Sequence, residues 1–144
     1  MGVRRIEDFF AFQAAVEFKE EAHRLVRASP EAHRDLKFRS QLWDAVDAID
    51  ADMAEGFRRG NPSEFANFLR YALASHAEAT RRLQSGISRG YFSADGCARA
   101  LTWAVRCNSA TKGLLASQYR EIARRKAEDA KRKRSGRAGG RASK

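Results

Sequence analysis

The sequence offers few side chains whose type and spacing suit metal chemistry. A di-metal site in a helical protein needs two Glu-x-x-His pairs and two further glutamates that face inward. One such pair is present, Glu20 and His23, and there is no second. His76 has Glu78 only two residues further on, a spacing that points to another side of a helix. We therefore expect no metal site, and we interpret His23 as a polar residue at the edge of an apolar stripe.

Nucleophilic and acid–base catalysis also lack a supporting pattern. Cys97 and Cys107 lie ten residues apart in one predicted helix, about 15 Å of rise, which is too far for a disulfide. No Gly-x-Ser-x-Gly elbow and no Cys-Gly-Ser-Cys motif is present. Residues 86–90 have the letters Gly-x-Ser-x-Gly, but they close a predicted helix and do not follow a strand. The carboxylates Asp50, Asp52 and Glu55 fit a solvated helix face better than an acid and a base. The sequence therefore predicts a protein that is not an enzyme and binds no cofactor.

The C-terminal end carries the main functional signal, which is its charge. Residues 123–144 hold ten Lys or Arg against Glu128 and Asp129, a balance of +8, whereas the other 122 residues hold 18 basic and 16 acidic groups, a balance of +2. Such a segment neutralises phosphates by releasing counterions, and it reads little sequence. We predict nucleic-acid contacts at Arg124, Arg125, Lys126, Lys131, Arg132, Lys133, Arg134, Arg137 and Arg141.

The alternative interpretation of this segment is a solubilising end with no partner. It has no aromatic residue, so it offers no platform for base stacking, and it lacks the apolar face that binding to a membrane surface requires. No stretch reaches about 18 uninterrupted apolar residues, and no apolar signal region follows Met1–Arg5. We expect a cytoplasmic protein with reduced cysteines and no membrane partner.

Four segments show helical periodicity, and only two prolines interrupt the chain. The first helix is predicted from Glu7 to Ala28, where Ser29-Pro30 ends it. The second runs from Asp35 to Arg59, with Gly60 after its end. The third begins at Asn61-Pro62-Ser63-Glu64, a capping-box-like signal, and ends at Arg89-Gly90. The fourth begins at Ser93, frays from Arg124 to Arg134 and gives way to disorder from Ser135.

Each predicted helix has one apolar stripe. The stripes comprise Ile6, Phe9, Phe12, Val16, His23 and Val26 in the first helix; Leu42, Ala45, Val46, Ile49, Met53 and Phe57 in the second; Phe65, Phe68, Leu69, Ala72, Ser75, Ala79, Leu83 and Ile87 in the third; and Cys97, Leu101, Ala104, Val105, Asn108, Leu115, Tyr119 and Ile122 in the fourth.

Short connections make sequential helices antiparallel neighbours. The predicted fold class is therefore all-α, an antiparallel up-down-up-down four-helix bundle over residues 1–122. A basic tail, fraying and then disordered, is predicted over residues 123–144. The aromatic residues Phe10, Phe18, Trp43 and Trp103 lie off the predicted stripes, which leaves apolar surface that self-association would bury.

The stretch from Gln41 to Glu78 resembles a known family. It reads Gln41-Leu42, Ala48-Ile49-Asp50-Ala51-Asp52-Met53-Ala54-Glu55-Gly56, Asn61-Pro62-Ser63-Glu64-Phe65 and Ala72-Leu73-Ala74-Ser75 with Glu78 three further on. These words are similar to those of the four-helix-bundle proteins encoded in intervening sequences of bacterial 23S ribosomal RNA genes. Where that family has serine, asparagine, serine and glycine, this chain has Ala48, Asp52, Asn61 and Ala74. The resemblance covers about Asp8 to Arg120.

The resemblance implies a homopentameric ring of four-helix protomers with no established enzymatic activity. It assigns structural roles to Gln41, Asp52, Glu55, Gly56, Asn61, Glu64, Ser75 and Glu78, with Glu55 and Ser75 expected to hold the interior together. A distant relative, the accessory protein of diversity-generating retroelements, is a basic pentamer that works with a reverse transcriptase and binds nucleic acid. Fold likeness alone does not carry function.

Two function classes remain open at the level of sequence. The first is an oligomeric scaffold that contacts nucleic acid, RNA above all, through its basic tails. The second is a protein–protein adaptor, such as a reverse-transcriptase accessory subunit, with no direct nucleic-acid role. A third class, an enzyme built on helix-borne carboxylates, has no supporting pattern beyond the carboxylates themselves.

Overall fold

The computed structural model of the chain describes residues 5–142, with side chains described as far as residue 139. A 3-10 turn, Ile6–Asp8, precedes five α-helices: α1 (Phe10–Ala28), α2 (Pro30–Arg34), α3 (Leu36–Arg58), α4 (Pro62–Ser88) and α5 (Ala98–Ala142). Residues 5–142 contain no β-strand. The predicted all-α class is confirmed, and four of the five helices correspond to the four predicted segments.

The connection after α1 differs from the prediction, because it contains the short helix α2. Ser29 leaves the helical region of backbone space, as the proline after it requires. Its hydroxyl oxygen then accepts a hydrogen bond from the Ala32 amide at 3.3 Å, and Pro30 occupies the first helical position. Ser29 therefore ends one helix and caps another, so the predicted loop contains a helix of five residues.

The junction between α3 and α4 agrees with the sequence. Gly60 has a φ of +79°, the left-handed conformation that favours glycine. The side-chain oxygen of Asn61 accepts a hydrogen bond from the Glu64 amide at 2.9 Å, and the Asn61 side-chain amide donates to a Glu64 carboxylate oxygen at 2.8 Å. The predicted N-cap of this helix is confirmed.

The start of α5 differs from the prediction. Ser93 accepts a hydrogen bond from the Gly96 amide at 2.9 Å, but this contact belongs to a turn, and α5 begins only at Ala98. In the connection before α5, the ring of Phe92 packs against α4, where a Cβ on Gly86 would lie 2.5 Å from it. The connection thus contributes an aromatic side chain to the core.

Neighbouring long helices pack against each other with opposite directions. The pairs α1–α3, α3–α4, α4–α5 and α1–α5 are all in contact. Along each pair of helices, the residue number rises in one helix as it falls in the other. The contacts that show this are Lys19–Asp50 and His23–Asp47 between α1 and α3, and Arg70–Tyr119 and His76–Ala104 between α4 and α5. Gly56, near the end of α3, lies against Phe68, near the start of α4.

Burial confirms the predicted stripes of α3 and α4 in large part and corrects that of α1. Leu42, Val46, Ile49, Met53 and Leu69 are almost fully buried, as predicted. Of the stripe predicted for the first helix, Phe9, Phe12, Val16 and His23 are only half-buried. The buried residues of α1 are Ala11, Ala14, Ala15, Phe18, Glu21, Ala22, Leu25 and Val26. Alanines give a weak hydrophobic pattern, yet their small size allows close helix packing, so the prediction followed the larger side chains.

The apolar stripe of α5 was also predicted wrongly in part. Val105 is 67% exposed and Tyr119 is 46% exposed. The residues that face the core are Cys97, directly before α5, and Ala100, Ala104, Cys107 and Thr111 within it. These side chains are small or weakly polar, whereas the larger residues Leu101, Trp103, Leu114 and Leu115 are only partly buried against the core.

The predicted fraying and disorder of the C-terminal end differ from the structure, in which α5 continues as a helix to Ala142. Acidic and basic side chains at i,i+3 and i,i+4 spacing line this part of the helix. Such pairs stabilise a helix without any burial. Met1–Arg4, Ser143 and Lys144 lie outside the described residues.

Candidate nucleic-acid interface and the groove between helices α3 and α4

The part of α5 from residue 123 to residue 142 contains all the basic residues predicted to contact nucleic acid, and we call it the C-terminal segment. Every side chain described in it, from Ala123 to Gly139, is exposed. Arg141 lies within α5, but its side chain lies outside the described part. The structure therefore places the predicted contacts along one exposed helix.

Three of these basic residues are engaged with acidic neighbours. Arg124 donates to Glu121 at 2.6 Å and to Glu128 at 2.8 Å. Arg125 donates to the same Glu121 at 3.1 Å, and Arg132 pairs with Asp129 at 3.0 Å. The hydrogen bonds from Arg124, and then those from Arg125, lower the pKa of Glu121 to about 2. The charges of these three arginines are partly compensated within the helix.

The remaining basic residues of the segment have a different environment. Among residues 5–139, none of the carboxylates forms an ion pair with Lys126, Lys131, Lys133, Arg134 or Arg137. Lys131, Lys133 and Arg134 are close in sequence, so they concentrate uncompensated positive charge within about one helical turn. This cluster is the part of the segment best suited to bind an anion.

A second feature is a groove between α3 and α4, which we call the α3–α4 groove. It has a volume of about 470 Å³ and is open to solvent. Three residues assigned by the family resemblance line it, namely Gln41, Ser75 and Glu78. The other lining residues are Asp44, Ala45, Ala48 and Ala74. Parts of the sequence motifs that carry the resemblance therefore lie on one surface of the folded chain.

Two more motif residues lie further along the same pair of helices. Gly56 is buried at the crossing of α3 and α4, where a Cβ would come within 2.5 Å of the Phe68 Cβ. Asp52 is half-buried, and partial burial raises the pKa of its carboxyl group above the usual value. Only glycine allows the close approach at position 56, because the opposing atom belongs to a side chain fixed at its base.

The motif glutamates are held by arginines of their own neighbourhood. Glu55 accepts hydrogen bonds from Arg58 and Arg59. Glu78 accepts from Arg81 and, at 2.7 Å, from Arg82, and these bonds lower the pKa of Glu78.

Glu55 and Ser75, which are expected to hold the interior together, are both half-buried in the single chain. Asn61 and Glu64 lie apart from the groove, at the N-terminus of α4.

His76 is an internal contact that the sequence interpretation missed. Its ring is buried, with Nε2 2.6 Å from the Ala104 carbonyl oxygen of α5 and the Phe18 ring of α1 at 5.5 Å. Burial is the main cause that lowers its pKa, and the charge of Lys112 adds to it. The signal was in the sequence: Leu69, Ala72, His76, Ala79 and Leu83 repeat at spacings of four and three.

The residues considered for metal and thiol chemistry are dispersed in the fold. Within the described range, no three or more His, Cys, Asp or Glu side chains lie close enough to hold a metal ion. His23 instead stacks on Trp43 and contacts Asp47 at 2.7 Å. Cys97 and Cys107 are buried free thiols, and burial raises the pKa of Cys107 to about 11. No helix in the described range has the length and apolarity to cross a bilayer.

Comparison with known protein families identifies the chain. A model of the 23S rRNA-intervening sequence protein family matches residues 7–112. The chain belongs to this family. The resemblance is thereby confirmed, and the match to the 23S rRNA-intervening sequence proteins takes in α1 to α4 and the first part of α5, ending before the C-terminal segment. No match to this chain was found among curated proteins.

Proposed function

We propose that the protein is a non-enzymatic, self-associating scaffold that contacts nucleic acid, RNA in the first place, through the C-terminal segment of α5. In this proposal α1, α3, α4 and α5 form an up-down-up-down four-helix bundle, and several bundles assemble into a ring. The family resemblance favours five copies. The two buried free thiols fit a reducing cytoplasm as the place of action.

The observation that carries the nucleic-acid proposal is the cluster Lys131, Lys133 and Arg134. These cations are exposed and have no carboxylate partner among residues 5–139. The C-terminal segment would extend about 30 Å along its axis at 1.5 Å per residue. This length is comparable to the distance spanned by several consecutive phosphates of a nucleic-acid strand. Cations arranged in this way bind a polyanion by releasing its counterions. They position the nucleic acid without specifying its sequence.

Self-association would strengthen this contact. Each chain carries +8 over residues 123–144, and a single segment of this kind binds weakly at physiological salt. Several segments on one assembly would raise the local concentration of binding sites. A modest affinity per segment then becomes a useful affinity for the assembly, provided that one RNA molecule spans the segments.

The decisive experiment compares full-length protein with a form that ends at Ile122, for RNA and DNA of equal length, across a series of salt concentrations. We expect full-length protein to bind with a steep salt dependence, with a log–log slope of about −3 to −6 for single strands if about five to eight phosphates are neutralised. The shortened form should bind at least about tenfold more weakly. Equal binding by the two forms would move the interface to the body of the protein.

A matched pair of variants tests which cations act. Lys131, Lys133 and Arg134 changed to Gln should weaken binding more than Arg124, Arg125 and Arg132 changed to Gln, although both variants lose three positive charges. The reason is that the second set already pairs with Glu121, Glu128 and Asp129. Circular dichroism of both variants controls for a change in helix content.

The adaptor function is the second candidate. It is favoured by large apolar side chains that lie exposed on the body, among them Leu36, Tyr71 and Val105. Exposed apolar side chains of this kind mark protein contacts when they cluster. If neither form of the protein binds nucleic acid at any salt concentration, the nucleic-acid proposal fails and a protein partner, such as a reverse transcriptase, becomes the leading account.

A further inference from the structure

One side of α5 bears apolar residues that are exposed wholly or in part. Leu101, Val105 and Tyr119 fall on one side of the helix because their spacing is close to whole turns. Val105 is 67% exposed, Tyr119 is 46% exposed and Leu101 is half-buried. Leu101 and Val105 also line a shallow hollow of about 360 Å³ together with Thr102 and Arg106. We call this surface the outer α5 face.

The charge of α5 disfavours contact between two outer α5 faces. Arg106, Lys112 and Arg120 are exposed along this part of the helix, and Glu121 at its end is engaged by Arg124 and Arg125. Two copies placed face to face would bring like charges together around an apolar strip, which is unfavourable for association. The partner of this face should instead be acidic and should have room for large apolar side chains.

The α3–α4 groove of the same chain has both properties. Its floor consists of small side chains, Ala45, Ala48, Ala74 and Ser75, and small residues allow another helix to approach closely. Asp44 lies on its rim, and Asp52 follows on the same helix. Neither forms an ion pair among the described residues, and partial burial raises the pKa of Asp52. A carboxylate in that situation is stabilised by an incoming cation.

We propose that copies of this chain assemble head to tail, with the outer α5 face of one copy packed in the α3–α4 groove of the next. The occupant of the groove is thus a second copy of this chain. Its Val105 and Leu101 fill the small-residue floor, and its basic residues face Asp44 and Asp52. This inference rests on the self-association proposed above and adds the two surfaces that carry it. Because the surfaces differ, the contact is heterologous, and repetition closes a ring or extends a filament.

Two substitutions at exposed positions test the two surfaces separately. Val105→Glu places a carboxylate on the outer α5 face, and Ala74→Trp fills the groove. Both side chains are exposed in the single chain, so neither change should affect folding. Each variant alone should lose the assembly in sedimentation velocity, with an association constant at least about tenfold lower than that of the unchanged protein.

The matched control variants introduce the same side chains, glutamate and tryptophan, at positions outside the two proposed surfaces. Leu36→Glu introduces the same charge at a leucine that is 63% exposed near the start of α3. Ala77→Trp introduces the same ring on α4, outside the residues that line the groove. Both control proteins should assemble like the unchanged protein. Assembly lost equally in the controls would mean that the effect is not specific to the proposed surfaces.

Mixing the two interface variants gives the sharpest result. The Val105→Glu chain retains an intact groove and the Ala74→Trp chain retains an intact outer α5 face, so one proposed contact survives between them. We expect a 1:1 dimer of about 32 kDa, from two chains of 16.2 kDa each, and no larger species. Two variants that stay monomeric when mixed would overturn the head-to-tail arrangement.

The outcomes separate this inference from the proposed function. If the unchanged protein is a monomer, the proposed self-association fails and this inference fails with it. If the unchanged protein assembles and both interface variants assemble equally well, self-association stands and the two surfaces are the wrong ones. Loss of assembly in each variant, with recovery of the dimer on mixing, supports both.

Discussion

Residues 98–122 and residues 123–139 belong to the same helix, α5, but different interactions stabilise the two parts. The first part contributes Cys107 and Thr111 to the core, each about 1% exposed. In the second part all described side chains are exposed, and the interactions are ion pairs such as those from Arg124 to Glu121 and Glu128. Screening by salt weakens exposed ion pairs, whereas it has little effect on buried apolar contacts. The two halves of one helix should therefore respond differently to the same perturbation.

The largest expected effect comes from the core of the body. Phe18→Ala should lower the free energy of unfolding by about 3–5 kcal/mol, because it removes a fully buried ring and leaves a cavity. Phe10→Ala removes the same ring from a side chain that is 51% exposed and should change stability by about 0.5 kcal/mol or less. Urea denaturation of both variants measures the difference. Equal losses would contradict the burial described for α1.

The next effect concerns the crossing of α3 and α4. Gly56→Ala should destabilise the protein by about 1–3 kcal/mol, because the new methyl group would overlap the Phe68 side chain. Gly113→Ala, in the part of α5 where a Cβ meets no other atom within 4 Å, should stabilise the helix by about 0.5–1 kcal/mol. A lower melting temperature for Gly56→Ala and a higher one for Gly113→Ala would confirm the contrast. An unchanged melting temperature for Gly56→Ala would argue against the close approach of the two helices.

A smaller effect is expected at the N-terminus of α4. Asn61→Ala should cost about 1 kcal/mol, because the Glu64 amide loses the side-chain oxygen that it donates to. Asn61→Asp keeps an acceptor at this position and should retain most of the stability. The melting temperatures of the two variants decide the matter, and an unchanged value for Asn61→Ala would show that the cap contributes nothing.

The buried His76 predicts how the stability of the body depends on pH. Its pKa in the folded chain lies below the ordinary value of 6.5, so the unfolded chain binds the proton more readily. The resulting stabilisation is complete above the unfolded pKa and is lost as the pH falls through the folded pKa. The urea midpoint of unfolding should therefore decrease more between pH 7.5 and pH 5.5 in the unchanged protein than in His76→Gln. A parallel fall in both proteins would assign the effect to other groups.

The smallest effect belongs to the C-terminal segment. Glu121→Gln removes the shared partner of Arg124 and Arg125, so backbone amides of residues 123–134 should exchange faster with solvent. High salt should produce a similar change in the unchanged protein, while the amides of α3 and α4 remain protected. Glu128→Gln, which removes one contact to Arg124, should have less effect. If the substitution leaves the exchange rates of residues 123–134 unchanged, these ion pairs do not order the helix.

Much of the fold follows from local sequence, and α3 and α4 show why. Their large apolar residues recur at spacings of three and four, and their junction contains Gly60 and Asn61, residues whose backbone and hydrogen-bonding preferences act locally. The family motifs between Gln41 and Glu78 were likewise recognisable from the residues alone. Such signals do not require knowledge of the neighbouring helix.

Other features became visible only when the helices were packed together. Ala14 and Ala15 are fully buried although their hydrophobic signal is weak, and Val105 is exposed although its signal is strong, because packing selects size and shape as well as polarity.

The α3–α4 groove is also a tertiary feature, since its lining comes from two segments, residues 41–48 and residues 74–78, that are 26 to 37 residues apart in the sequence.

The sequence by itself determined that the chain is helical, that its body belongs to the 23S rRNA-intervening sequence proteins and that its positive charge gathers at the C-terminal end. The tertiary structure decided which face of each helix is buried and which residues of α3 and α4 meet in the groove. The physical reason is one of range. Helix propensity and capping depend on residues within about one turn and net charge depends on composition, whereas burial and grooves depend on side chains that only folding brings together.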